Sequence, residues 1–261
     1  VAENLFVANQ YTFNATQAGY VNASGTLQKK VEFMDKNVLN DLLVGGFTVS
    51  PTNYTDILGD GTMWFEPNTA TLHLKNVNVT KEKTKLAFIH SSYGNMTIVF
   101  EGNNTITSSG PAIAFYRGKM NIVGDQTNTG YNRLVCQTTD TTAEGAIIFG
   151  DELNISKIEH PRNKDMVDSV IVIGATAGIT SRKAGVITMC DYMTLEVSGA
   201  TKSGLDNVRA VTVPESIKMR PLEVIHNTAD GNLVDKITLQ PYAKKVVYQN
   251  KFWEWDLYIA G

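Results

Sequence analysis

Apolar residues recur at every second position in short runs along the middle of the chain, with polar residues between them. Thr71-Leu72-His73-Leu74-Lys75-Asn76-Val77 alternates in this way, as do Met96-Thr97-Ile98-Val99-Phe100, Met120-Asn121-Ile122-Val123 and Met193-Thr194-Leu195-Glu196-Val197. Successive side chains of a strand leave on opposite sides, so period two marks a strand with one buried face. Asn, Thr, Ser and Gly punctuate the runs, and helix signals are poor throughout. The pattern predicts an all-β chain.

The runs also resemble one another. Met96-Thr97-Ile98, Met120-Asn121-Ile122, Leu153-Asn154-Ile155 and Met193-Thr194-Leu195 each read large apolar, Thr or Asn, then Ile or Leu. Ahead of the last three stands a second apolar run: Ala112-Ile113-Ala114-Phe115, Ala146-Ile147-Ile148-Phe149 and Val186-Ile187-Thr188-Met189. The gap between the two runs hardly changes, while the interval from rung to rung grows from 24 to 33 to 40 residues. A constant corner with variable loops is how a solenoid carries insertions. One coil cannot bury its apolar face alone, and stacking at about 4.8 Å joins aligned apolar positions into a column. The expected core is therefore a parallel β-helix, or β-solenoid, with irregular inserts and flanking β-strand segments.

Three regions follow. Residues 1–43 read as an N-terminal β segment, the tail of a preceding module; residues 44–213 as the solenoid core; and residues 214–261 as a C-terminal β cap and module junction, with Pro214, Pro221 and Pro241 interrupting short strands. Residues 27–46 align without gaps on 242–261, placing Lys29-Lys30-Val31 on Lys244-Lys245-Val246 and Asp41-Leu42 on Asp256-Leu257. That repeat suggests tandem modules; two similar hairpins arising by chance are the alternative.

Val44-Gly45-Gly46-Phe47-Thr48-Val49, Asp56-Ile57-Leu58-Gly59-Asp60-Gly61-Thr62 and Ala70-Thr71-Leu72-His73-Leu74-Lys75-Asn76 resemble the opening of a repeat module found in secreted and surface proteins of anaerobic gut bacteria. The stretch from Met96 to Gly110 is similar to that module's next coil. The resemblance spans about residues 40 to 213, and departs from the simplest members by long inserts at 125–143 and 156–184. It implies a solenoid fold and an extracytoplasmic, secreted or cell-surface location. Such modules are often labelled carbohydrate-binding without an assigned site.

Composition narrows the chemistry. Of 261 residues 43% are apolar and 19% charged, enough to bury a continuous core. The net charge of -3, with no basic cluster in the sequence, argues against a nucleic-acid partner. No apolar run approaches the roughly 20 residues of a membrane span. Val1-Ala2-Glu3-Asn4 lacks the regions of a signal peptide, which reads as a mature or trimmed chain. Cys136 and Cys190 follow apolar runs and fit free buried thiols, a single bridge being the other reading.

Catalytic signals are weak. Enzymes of the parallel β-helix type that act on acidic polysaccharides converge carboxylates, a His and cations on one outer face. Here no Asn-Thr-Asp, Gly-Asp-Asp or Gly-His-Gly tract occurs, and His73, His90, His160 and His226 are scattered. Equal offsets from the rungs pair Glu101 with Asp125 and Asp151 with Asp191. In adjacent coils these like charges would repel unless separated, protonated or bridged, which makes them a candidate Ca²⁺ site, with solvated corner carboxylates as the alternative. No other cofactor is expected.

Aromatic residues carry the remaining clue, because a flat ring stacks on a sugar while polar neighbours fix its hydroxyls. Trp64 and the cluster Phe252, Trp253, Trp255 and Tyr258 are the candidate ligand contacts, with packing against a partner strand as the competing role. The leading expectation is a non-catalytic surface or secreted protein that binds a glycan or cell-surface polysaccharide, or serves adhesion. The alternatives are a diverged polysaccharide lyase or glycoside hydrolase on a β-helix, and a structural spacer. The oligomeric state is open.

Overall fold

The computed structural model describes residues 11–21, 27–35, 42–82, 86–92, 95–125, 131–158, 166–224 and 243–250, and these contain strands and turns but no helix. Strands β1 (Tyr11–Val21) and β2 (Leu27–Asp35) pair antiparallel as a two-stranded sheet. Next come β3 (Leu43–Val44), β4 (Phe47–Thr48) and β5 (Met63–Glu66). Five similar circuits follow. The first holds β6 (Thr71–Lys75), β7 (Asn78–Lys81) and β8 (Ile89–Ser91), and the second β9 (Met96–Glu101), β10 (Asn103–Ser108) and β11 (Ile113–Phe115). The third holds β12 (Lys119–Asp125), β13 (Arg133–Thr138) and β14 (Gly145–Phe149). The fourth holds β15 (Glu152–Ile158), β16 (Asp168–Gly174) and β17 (Ala177–Ser181), and the fifth β18 (Val186–Met189), β19 (Met193–Gly199) and β20 (Leu205–Asp206). The described chain closes with β21 (Ala210–Thr212), β22 (Ile217–Val224) and β23 (Ala243–Asn250).

Every third strand of the circuits joins the same sheet. Sheet I has the order β21-β18-β15-β12-β9-β6-β5, sheet II β22-β23-β19-β16-β13-β10-β7, and sheet III β20-β17-β14-β11-β8-β3-β4. All three are seven-stranded, and the pairs within the circuits are parallel. Antiparallel pairs stand only at the ends, where β5 covers β6, β3 covers β8, and β23 covers β19.

The register aligns like with like on the inner face. In sheet I Leu72, Ile98, Ile122 and Ile155 stand side by side, all wholly buried. Sheet III contributes Ile89, Ile113, Ile147 and Ile179, and sheet II contributes Ile106, Cys136, Val172 and Val197. Each of these is wholly buried too and belongs to one contiguous cluster. Burying one such side chain is worth roughly 1.5–3 kcal/mol, so the columns are the main source of stability. Cys136 is a free thiol within its column, and burial pushes its pKa up; Cys190 is free and partly buried.

Several expectations need correction. Met193-Thr194-Leu195 is not the fourth rung of the sheet I column: it opens β19 in sheet II, where Met193 pairs with Asp168. Leu153 instead stands beside Ile187, so Val186-Ile187-Thr188-Met189 belongs to sheet I, and Ala177–Ser181 continues the Ala112 and Ala146 series in sheet III. The reason is that every wall buries one face in the same interior, so all walls repeat the same local pattern. The supposed inserts at 125–143 and 156–184 contain the regular strands β13, β16 and β17. Their outward residues hide the period: Val135 faces outward yet is only 7% exposed, which turns alternation into a continuous apolar run.

Both copies of the Lys-Lys-Val repeat are extended. Lys29-Lys30-Val31 pairs with β1, whereas Lys244-Lys245-Val246 lies between β19 and β22. The remainder of that alignment past Asn250 lies outside the described residues, as does the stretch 225–242 of the expected cap.

One turn of the interior is polar. Asn132 donates its backbone N–H to Asp168 Oδ1 at 3.0 Å and its side-chain amide to Oδ2 at 3.3 Å, and Asp168 is wholly buried. Gly124 makes room for this carboxylate, since a Cβ there would collide with it. Nearby, Lys157 Nζ donates to the Met166 carbonyl at 3.1 Å and lies 4.5 Å from the centroid of the Tyr192 ring.

Two substitutions test these arrangements. Ile122→Asp buries an unpaired charge in the sheet I column and is expected to abolish folding; a soluble protein with wild-type melting would disprove the column. Asp168→Ala strands both Asn132 donors and should cost about 3 kcal/mol in urea unfolding, whereas a change below about 0.5 kcal/mol would show the turn to be dispensable.

Candidate functional site

The outward face of sheet I brings together most of the described candidate residues. Register places Trp64 opposite His73 across the antiparallel β5–β6 pair, with Val99 and Val123 continuing His73 along β9 and β12. The Trp64 and His73 rings stack with centroids 4.8 Å apart and planes only 2° from parallel. Both side chains are partly exposed. His73 Nε2 lies 3.7 Å from Glu66 Oε2, and Thr69 Oγ1 donates to the same carboxylate oxygen at 2.9 Å. The indole is thus one layer of a fixed stack, with the imidazole behind it tied to an acid.

Beside this stack runs a polar row. Thr71, Thr97, Asn121, Asn154 and Thr188 are register neighbours from β6 to β18. Asn154 donates to Asn121 Oδ1 at 3.0 Å, and Asn121 donates to Thr97 Oγ1 at 3.2 Å. Hydroxyls and amides are therefore arrayed one per strand at the sheet spacing of about 4.8 Å, pre-oriented by bonds to each other.

The carboxylate candidates are placed differently from each other. Glu101 and Asp125 end neighbouring strands at equivalent positions, as Phe100 pairs with Gly124. Lys75 Nζ reaches Glu101 Oε2 at 3.2 Å and supplies a countercharge on the same face. Asp151 and Asp191 do not stack. Asp151 lies in the turn between sheets III and I, while Asp191 lies between sheets I and II and accepts a bond from Ser216 Oγ. Asp151 Oδ2 accepts the Gly118 N–H at 2.8 Å, and Lys183 Nζ lies 3.1 Å from Oδ1. The Gly118 N–H first, and the Lys183 ammonium after it, hold the Asp151 carboxyl below the usual carboxylate range. Asp151 precedes β15 in sheet I and Asp191 precedes β19 in sheet II, so equal offsets from these two runs do not bring the carboxylates together. Among the described residues no three His, Cys, Asp or Glu side chains converge as metal ligands. Phe252, Trp253, Trp255 and Tyr258 lie outside the described residues.

Two members of this face were not singled out by sequence reasoning. In sequence His73 reads as one of four scattered histidines, although its place opposite a Trp across a four-residue hairpin turn is a usable signal. The Thr97–Asn121–Asn154 row was visible as the polar middle letter of the repeating triplet, but its hydrogen bonding needs the register. Comparison with protein-family models, with curated proteins and with solved structures gives no match for the chain.

Burial against Trp64 has a measurable consequence. It lowers the His73 pKa from the ordinary 6.5, the nearby Glu66 only partly opposing it. The neutral imidazole is favoured in the folded protein, so protonating the unfolded chain as pH falls below 6.5 removes stability until the lower folded value is passed. An NMR titration is expected to give a His73 midpoint below 6.5, moving upward in Trp64→Ala; a midpoint at or above 6.5 in the wild type would contradict the stacked geometry.

Proposed function

We propose that the chain is a non-catalytic β-solenoid module of a secreted or cell-surface protein and that it binds glycans on the outward face of sheet I. The observation that carries this reading is the parallel stack of Trp64 on His73, partly exposed, beside the hydrogen-bonded Thr97–Asn121–Asn154 row. An aromatic plate next to fixed amides and hydroxyls matches the two faces of a sugar, apolar C–H groups and equatorial hydroxyls. The solenoid itself is supported by five circuits through the same three sheets with aligned inner columns. What supports an extracytoplasmic location is the resemblance of residues 40 to 213 to surface modules of gut bacteria.

A binding role fits this face better than catalysis. General acid catalysis needs a carboxyl held protonated near neutral pH. Yet Asp151 is pushed the opposite way by its donors.

A printed glycan array probed with the wild-type chain and with Trp64→Ala tests the proposal. Wild type is expected to retain at least one glycan class, and loss of the indole should weaken it about tenfold or more, the usual scale for an aromatic anchor. Retention of no glycan, or equal retention by both proteins, would refute it.

A further inference from the structure

The turns that carry the chain from sheet III to sheet I lie directly on one another. They comprise residues 116–118, 150–151, 182–185 and 207–209. A Cβ on Gly150 would fall 2.7 Å from the Tyr116 carbonyl oxygen and 2.9 Å from Arg117 Cα, and one on Gly185 would fall 2.8 Å from the Gly150 oxygen. Only glycine permits so close a stack. Hydrogen bonds tie it together: Asp151 N–H to Gly118 O at 3.3 Å, Val186 N–H to Asp151 O at 3.1 Å, and Arg209 N–H to Gly185 O at 2.9 Å.

This stack projects Arg117, Lys119, Arg182, Lys183 and Arg209 into solvent, all exposed, against Asp151 and Glu152. The sign is the reverse of the chain's net -3. Neutralisation is partial. Lys119 lies 3.8 Å from Glu152, Lys183 3.1 Å from Asp151, and Arg182 3.0 Å from Glu144 on the sheet III side. Arg117 and Arg209 make no ion pair among the described residues. The Arg182 guanidinium lies over the Tyr116 ring at 4.8 Å, and Tyr116 meets His90 edge-on at 5.3 Å. The packing holds this guanidinium in place before any ligand arrives.

We infer that this ridge binds an acidic polysaccharide laid along the stack, its carboxylate or sulfate groups meeting Arg117, Arg182 and Arg209 in turn. The inference rests on the glycan-binding reading and adds the charge class of the glycan. Arg182 and Arg209 stand on adjacent turns, about one strand spacing of 4.8 Å apart, and Arg117 stands two turns before Arg182 with the Asp151 turn between them, so a polymer with one anion per sugar, which repeats on a comparable length, meets the arginines at intervals of about two sugars and then one. Guanidinium pairs carboxylate and sulfate with two parallel bonds, which a lysine point charge does not. A polynucleotide fits less well, because its phosphates call for a broad basic footprint, whereas this ridge is narrow and bordered by Glu144 and Glu152.

The test uses the whole chain, with polygalacturonate and chondroitin sulfate as acidic probes, dextran as a neutral one and a DNA duplex as a generic polyanion. Affinity electrophoresis at low salt should show retardation by an acidic polysaccharide that fades at high salt. The double variant Arg117→Gln with Arg209→Gln should weaken it about tenfold and lower its salt dependence, with unchanged melting, and Arg→Lys at both positions should restore part of it. Trp64→Ala should leave it largely intact. Undiminished binding by the Gln variant, or equal binding of DNA, overturns the ridge as a polysaccharide site. Neutral glycans bound through Trp64 without acidic ones overturn the ridge alone, and failure of every carbohydrate overturns the glycan reading as well.

Discussion

Everything in this chain depends on lateral register between parallel strands. When Ile122 stands beside Ile98 on one side and Ile155 on the other, each inner side chain is covered by its neighbours above and below as well as by the other two walls. A shift of one residue would turn the whole inner set outward, because strand side chains alternate with period two. No single circuit can bury its own apolar face, so the circuits hold one another in place and the ends need separate treatment. The antiparallel strands β5, β3 and β23 supply it by covering a terminal parallel strand in each sheet, and so limit open edges.

The turns carry the second constraint, since backbone groups leaving a strand must find partners while the chain changes wall. Small or hydrogen-bonding residues meet that need. Gly124 yields the space that the Asp168 carboxylate fills, and Asn132 joins that carboxylate to the neighbouring circuit. Asn104 does the same one level earlier, its Oδ1 accepting the Val77 N–H at 2.9 Å while its amide donates to the Glu101 carbonyl at 3.0 Å. Gly150 and Gly185 let the next set of turns stack at backbone contact. Strands that repeat at one spacing present their outward side chains at that spacing, as the polar row on sheet I shows.

The two outward surfaces differ in physical character. On sheet I the Trp64–His73 stack and the amide row are mostly neutral, which suits contact through ring faces and hydroxyls. Along the ridge, screened charges at exposed positions contribute little to stability, and the ion pairs there leave guanidinium groups able to take an added anion. Near these surfaces Glu101 pairs with Lys75, and Asp151 accepts the Gly118 N–H and pairs with Lys183.

Alternation by itself determined that the chain is built of strands, because a half-buried strand leaves a period of two in Leu72–Leu74, Met96–Phe100 and Met120–Ile122 that any fold must respect. The repeated triplets also determined the neighbours Ile98, Ile122 and Ile155, since equal environments select equal side chains. Local pattern does not say which wall a run belongs to, as all walls face one interior, and so Met193 resembles the sheet I rungs while standing in sheet II, and Val186 resembles the sheet III runs while standing in sheet I. Nor could it show β13 and β16, whose outward Val135, buried, and Ile171, half-buried, are apolar and erase the period. The tertiary structure alone decided what comes together across circuits: Lys75 against Glu101, Asp168 against Asn132, and Arg182 over Tyr116. These contacts join residues that are distant in sequence or unrelated by the repeat, and only the closing of the strands into register fixes the distances between them.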